Sequence, residues 1–247
     1  MRQAWLIALV GLVVFVVVAI ANFPASALIG RLPEQLVLEG VSGTVWNGGA
    51  DSIRLLGAPM GSVRWRAQTA ALLHGELAYY VEVTRADGYV RGRIAAAMGG
   101  VLSGDQIELS LPITALEREA AADAWDGALT GVVQSVRLER GWPVQLIGTF
   151  RVADLKPPAT LLRIGSYAID FDGRAPIESA LVGRVHELDD AALLVRAQLA
   201  IRPDRSYRLE GEVTPRPNAA PEVARAVAFL GQPDASGRRA FEITGNF

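Results

Sequence analysis

Apolar and polar residues alternate with a period of two along most of this chain, as strands with one covered face require. Val63 and Trp65 point one way and Arg64 and Arg66 the other; Leu77, Tyr79, Val81 and Val83 alternate with Glu76, Tyr80, Glu82 and Thr84. Ile107, Leu109 and Leu111 oppose Gln106, Glu108 and Ser110, and Val144, Leu146, Phe150 and Val152 oppose Gln145, Thr149 and Arg151. Tyr167, Ile169 and Phe171 face away from Asp170 and Asp172. The longest stripe is Leu193, Val195, Ala197, Leu199 and Ile201, and Tyr207, Leu209 and Val213 follow it, with a last strand at 241–245.

The first hairpin is predicted at residues 36–56. Asn47-Gly48 is the dipeptide that a two-residue turn selects, because both central positions need positive φ. One strand then runs over 36–46 and returns over 49–56, with Trp46 opposite Gly49 and on the face of Ile53 and Leu55. That register also places Asp51 on the apolar face, a conflict that a bulge at Gly48-Gly49 relieves. Trp46 is expected to be a packing anchor at the base of the sheet. A partial echo, Trp125-Asp126-Gly127 followed by Ser135-Val136-Arg137-Leu138, suggests two similar β units in succession.

Helical pattern is scarce. Residues 113–124, after Pro112, are rich in Ala and Glu, and residues 221–230 start at a proline suited to a first helical turn and stop at Gly231. Two short helices cannot cover so many one-sided strands, so the apolar faces need curling, a second sheet, a partner or lipid. The expected fold is mainly β: one N-terminal transmembrane helix, then a curved, mostly antiparallel sheet domain, half-barrel or sandwich-like, with two short helices.

The helix is predicted over residues 4–23, which carry no charge. About 20 apolar residues at about 1.5 Å each span a hydrocarbon core of about 30 Å. Arg2 precedes the stretch and the next basic residue is Arg31, so the positive-inside bias puts the N-terminus in the cytoplasm. Trp5, Leu6, Phe15 and Phe23 are the expected membrane-anchoring side chains. A cleaved signal peptide is the competing reading, since Ala25-Ser26-Ala27 fits the cleavage pattern, but a signal core is usually shorter. The expected order is a cytoplasmic stub at 1–3, the anchor at 4–23, a linker at 24–35, a first β lobe at 36–111, a connecting helix at 112–124 and a second β lobe at 125–247.

Composition narrows the chemistry. The 247 residues are 51% hydrophobic, carry a net charge of −2 and contain no cysteine. There is no basic excess to attract nucleic acid and no thiol for metal or nucleophilic chemistry. His186, before Asp189 and Asp190, lacks further ligands at a recognisable spacing and reads as a solvated loop, and His74 reads as a turn after a strand. No nucleophile elbow or phosphate loop is present, so no catalytic residue, metal or cofactor is assigned. Arg64/Arg66 and Arg91/Arg93 each project from one face of a strand; cross-strand pairing with Glu76 and Glu82 is the expectation, against a basic strip facing anionic headgroups.

The order of the motifs resembles the type II secretion system protein N family. The residues that carry the resemblance are Gly43-Thr44-Val45-Trp46-Asn47-Gly48 after the N-terminal apolar segment, then Gly61-x-Val63-x-Trp65 leading to Leu72-Leu73-x-Gly75-x-Leu77. Gly211 in Leu209-x-Gly211-x-Val213, and Gly231 closing Phe229-Leu230-Gly231, complete it. The resemblance implies a non-enzymatic, single-pass inner-membrane protein with its bulk in the periplasm, working in protein transport. Its implied partners are other type II secretion components of the inner-membrane platform. Gly43, Trp46, Asn47, Gly48, Trp65, Gly75, Gly211 and Gly231 are then structural motif positions. The alternative is a lipid-binding or lipid-transfer β-groove similar to the AsmA-like envelope proteins, lined by residues such as Leu77, Tyr79, Ile107, Phe150 and Leu199.

Overall fold

Alternating stretches become antiparallel strands in a computed structural model that describes residues 12, 14–31, 35–55, 57–97, 99–116, 125–157, 162–174 and 180–246. The chain divides into two compact units between Ala86 and Asp87, within the span expected for the first lobe. In the first unit, β1 (Leu36–Glu39), β2 (Ser42–Gly43), β3 (Asn47–Leu55), β4 (Ala58–Ala67) and β5 (Glu76–Arg85) form an antiparallel sheet in which β1 and β2 both pair with β3. A short 3-10 helix, Thr69–His74, joins β4 to β5, and another, Ala25–Arg31, precedes β1.

The second unit is a sequential meander of β6 (Gly88–Ala97), β7 (Leu102–Pro112), β8 (Asp126–Glu139), β9 (Trp142–Lys156), β10 (Gly165–Arg174), β11 (Leu181–Glu187), β12 (Leu193–Ile201), β13 (Ser206–Pro215) and β14 (Arg239–Asn246). Each strand pairs antiparallel with the next in one sheet, so the sandwich-like form of the expectation is replaced by an open sheet. Its core is one-sided. Tyr167, Val195, Ala197 and Val213 pack with Val227 of α1 (Pro221–Ala228), whose Val223 is buried as well. A neighbouring cluster joins Phe171 and Leu181 to Leu146, Phe150, Leu199 and Ile201, with the rings of Phe150 and Phe171 edge to face at 6.0 Å. No large side chain among the described residues is fully buried, which is what a single sheet under one short helix allows.

Residues 14–21 are helical, and Phe15 is 69% and Phe23 40% exposed. Among the described residues no helix is long and apolar enough to cross a membrane; Trp5 and Leu6, and most of the first half of the span expected at 4–23, lie outside the described residues. Of the helix expected at 113–124, Ile113–Leu116 is a 3-10 turn and the remainder lies outside them.

The first hairpin differs from its prediction. Gly43 pairs with Gly48 and Ser42 with Gly49, so the chain reverses through the four residues Thr44 to Asn47 rather than at Asn47-Gly48. Neither Asn47 nor Gly48 has positive φ; that conformation falls on Gly43, at φ 80°. The bulge exists, but between Ala50 and Ile53 on β3, where it leaves Asp51 exposed. Leu77, expected on the covered face, is 43% exposed because the β4–β5 ladder ends at Ala67↔Tyr79 and Leu77 lies beyond it. His186 belongs to β11 rather than to a loop, with Nδ1 3.6 Å from Asp170. Arg91 and Arg93 do form cross-strand ion pairs, but with Glu108 and Asp105 of β7, at 2.6 and 2.7 Å.

Candidate functional site

Five of the eight motif positions converge on one loop. Thr44 to Asn47 is closed by the Thr44 amide donating to the Asn47 carbonyl at 2.9 Å and the Asn47 amide donating to Thr44 Oγ1 at 3.1 Å. Thr and Asn suit this job because short polar side chains bond the nearby backbone and so substitute for a regular turn. Gly43 is required twice over: its φ is positive, and a Cβ there would stand 2.8 Å from Gly48 Cα. At Gly48 a Cβ would meet the Ser42 carbonyl at 2.6 Å, Trp65 Cζ2 at 2.8 Å and the Thr44 carbonyl at 2.9 Å. Gly48 is thus a place of close approach, not of left-handed backbone. Trp65, opposite Gly48 across β3 and β4, lays its indole over that gap and donates from Nε1 to the Thr44 carbonyl at 3.2 Å.

The same loop grips the end of the N-terminal helical segment. The Trp46 indole donates from Nε1 to the Ile20 carbonyl at 2.7 Å, the Val45 amide donates to the Phe23 carbonyl at 3.0 Å, and Pro24 and Thr44 form an isolated antiparallel bridge. The Ile20 carbonyl, at the end of the helical segment, also accepts from the Phe23 amide at 3.2 Å, and the indole N–H arriving from 26 residues away is a second and shorter donor to it. The grip continues into the sheet, because the Ala67 amide donates to the Trp46 carbonyl at 2.6 Å. Trp46 is half-buried rather than fully buried, so its role is as much the hydrogen bond as the packing expected for it.

Beside the loop, Ala25, Ile29, Leu38, Val41, Val45, Trp65 and Tyr79 line an apolar depression of about 230 Å³. Burial raises the Tyr79 phenol above its usual value, as an apolar wall should. Across the sheet, Arg64 and Arg66 are exposed; Arg64 lies directly opposite Glu82 and Arg66 opposite Tyr80.

The remaining motif glycines are elsewhere. Gly75 closes the Thr69–His74 turn in the left-handed conformation, with its amide donating back to Ala71 and Leu72 carbonyls. Gly211 faces Ala197 on β12, where an added Cβ would collide with the Arg196 carbonyl and with Ala197. Gly231, at φ 105°, ends the connection after α1 in open space and accepts a hydrogen bond from Arg239. Thr44 and Val45 stand in the motif stretch that the sequence singles out but were given no role of their own, and the acceptors on Ile20 and Phe23 were missed. Thr44-x-x-Asn47 is a legible turn signal, whereas backbone carbonyls leave no mark in a sequence. Among the described residues no cluster of three His, Asp or Glu side chains could hold a metal.

The chain is similar to known proteins along nearly its full length. It is 28% identical over 238 residues, covering 92% of both chains, to "Type II secretion system protein N" of Vibrio cholerae serotype O1 (strain ATCC 39315 / El Tor Inaba N16961). It is 27% identical over 248 residues, covering 96% of both, to the protein of the same name from Aeromonas hydrophila. No solved structure matches the chain significantly. The family model described as "Type II secretion system (T2SS), protein N" matches residues 34–242, a span that includes the loop, the Trp65 strand and the C-terminal glycines, and the chain therefore belongs to the type II secretion system protein N family.

Proposed function

We propose that this type II secretion component is a single-pass inner-membrane protein whose β-structure lies in the periplasm and acts by binding other components of the apparatus rather than by catalysis. The observation that carries this reading is the grip of the Thr44–Asn47 loop on Ile20, Phe23 and Pro24. Such a grip makes the end of an uncharged N-terminal segment and the first sheet one mechanical piece, so the sheet is presented at a fixed place beside the bilayer. The uncharged stretch at 4–23 has the length of a bilayer core. Unsatisfied strand edges are ready sites for a partner strand, and the other platform components are the partners proposed.

In a strain lacking its own copy, the full chain should restore exoprotein secretion, and a version exported by a cleavable signal without residues 1–23 should not. Equal restoration by both would refute the anchored reading. Replacing both His74 and His186 with Ala should leave complementation intact.

A second reading, a lipid-binding groove, draws on the half-buried state of Leu146, Phe150, Leu199 and Ile201 around Phe171. Phospholipid co-purifying with the full chain and lost on Phe150→Asp would favour it; the same lipid yield from both proteins would count against it.

A further inference from the structure

Leu73 is 87% exposed and Leu72 46%, both on the Thr69–His74 turn, and Leu77 just after it is 43% exposed. Three outward leucines within six residues are a poor surface for water and a good one for lipid. Their position follows from a short series of hydrogen bonds. The Ile20 carbonyl accepts from the Trp46 indole, the Trp46 carbonyl accepts from the Ala67 amide at 2.6 Å, and the Gln68 amide donates to Ala78 at 2.8 Å. The turn begins at the next residue. Since the β4–β5 ladder stops at Ala67↔Tyr79, the turn projects from the end of the sheet that holds the anchor's last helical residues.

The last rungs add a second line of support. Arg66 and Tyr80 are register partners and both are exposed, a cation and an amphipathic ring at the same end of the sheet as the leucines, on the face opposite Leu77. That is the composition of a membrane interface, where the cation meets phosphate headgroups and the phenol lies at their level. Gly75 in its left-handed cap, bonded back to Ala71 and Leu72, closes the turn as a compact unit.

We propose that this turn is a second membrane contact: Leu72 and Leu73 enter the outer surface of a phospholipid bilayer beside the anchor and fix the tilt of the first sheet over it. The inference rests on the anchored reading above and deepens it. One helix alone leaves the sheet free to tilt relative to the bilayer plane, whereas a second point of contact restricts that tilt.

The chain has no cysteine, so single-cysteine variants of the full protein can be labelled uniquely. A fluorophore is placed at Leu73→Cys, at Phe15→Cys or at Arg54→Cys, an exposed position toward the far end of β3. Each is reconstituted in nanodiscs of phosphatidylethanolamine and phosphatidylglycerol containing nitroxide lipids, with the quencher close to the headgroup or deep in the chain. Quenching at 73 should exceed that at 54 several-fold and be stronger with the shallow quencher, while 15 is quenched best by the deep one. Quenching at 15 with none at 73 overturns the inference and leaves the anchor standing. No quenching at either removes the anchor and the inference with it. Unchanged melting of Leu73→Cys against the parent chain shows that the probe has not unfolded the turn.

Discussion

Replacing Gly48 with Ala tests the loop most severely for the smallest change. The added methyl would meet the Ser42 carbonyl at 2.6 Å, Trp65 Cζ2 at 2.8 Å and the Thr44 carbonyl at 2.9 Å. None of the three has slack. Ser42 is held in the β2–β3 ladder opposite Gly49, Thr44 is bonded to Asn47, and the Trp65 ring is fixed by its own bond to Thr44. Overpacking of this kind costs about 1–3 kcal/mol, and loss of one of the loop's hydrogen bonds adds about 1 kcal/mol, so the expected total is about 2–4 kcal/mol. With a urea slope of about 1–3 kcal/mol per molar, the unfolding midpoint should drop by about 0.7 M or more. Tryptophan fluorescence of the detergent-solubilised full chain reports it, since Trp46 and Trp65 both lie at the loop. Gly30→Ala, where an added methyl meets nothing within 4 Å, is the control. If the two variants unfold within about 0.5 kcal/mol of each other, the close approach described for Gly48 is wrong.

Four further outcomes follow from the same geometry. Trp46→Phe keeps an aromatic ring but removes the 2.7 Å bond to Ile20, so hydrogen exchange at the Val45 amide should speed up about fivefold, equivalent to about 1 kcal/mol. Gly211→Ala should destabilise the second unit by about 2 kcal/mol or more because the methyl strikes the β12 backbone, whereas Gly231→Ala, strained only by its φ of 105°, should cost about 1 kcal/mol; equal melting of the two would contradict the contrast. Burial, with Asp190 and Glu187 adding to it, pushes the Tyr167 phenol from 10.0 up to about 12. The stability linked to that proton is complete below pH 10.0 and is lost as pH rises toward about 12, so denaturation curves should show a fall there that is smaller in Tyr167→Phe. Arg91→Ala removes an exposed pair with Glu108 and should change stability by no more than about 1 kcal/mol; a larger loss would mean that the pair is less solvated than its exposure indicates.

Most strands were legible because one face is covered and the other wet, so Leu193–Ile201 coincides with its predicted bounds. β8 and β11 were not singled out, since β8 carries Gly127 and Gly131 where an apolar stripe would need bulk, and β11 has only seven residues. The hairpin shows a different limit. Asn47-Gly48 satisfies the rule for a two-residue turn, yet Thr44 offers a competing side-chain closure, and Gly48 is needed for the room that Trp65 and two carbonyls leave. Local propensity was right about the reversal and wrong about its register by a few residues. The grip on the N-terminal segment could not be read at all, because its acceptors are the main-chain oxygens of Ile20 and Phe23.

The central claim is that the motif loop holds the end of the N-terminal segment while the protein works in secretion. Pro24 and Thr44 are antiparallel partners, and facing residues in such a pair lie within the reach of a disulfide. In a strain lacking its own copy, the double variant Pro24→Cys/Thr44→Cys should cross-link within the chain on mild oxidation and still restore exoprotein secretion. Failure to cross-link, or a cross-linked protein that no longer supports secretion when its reduced form does, would contradict the account.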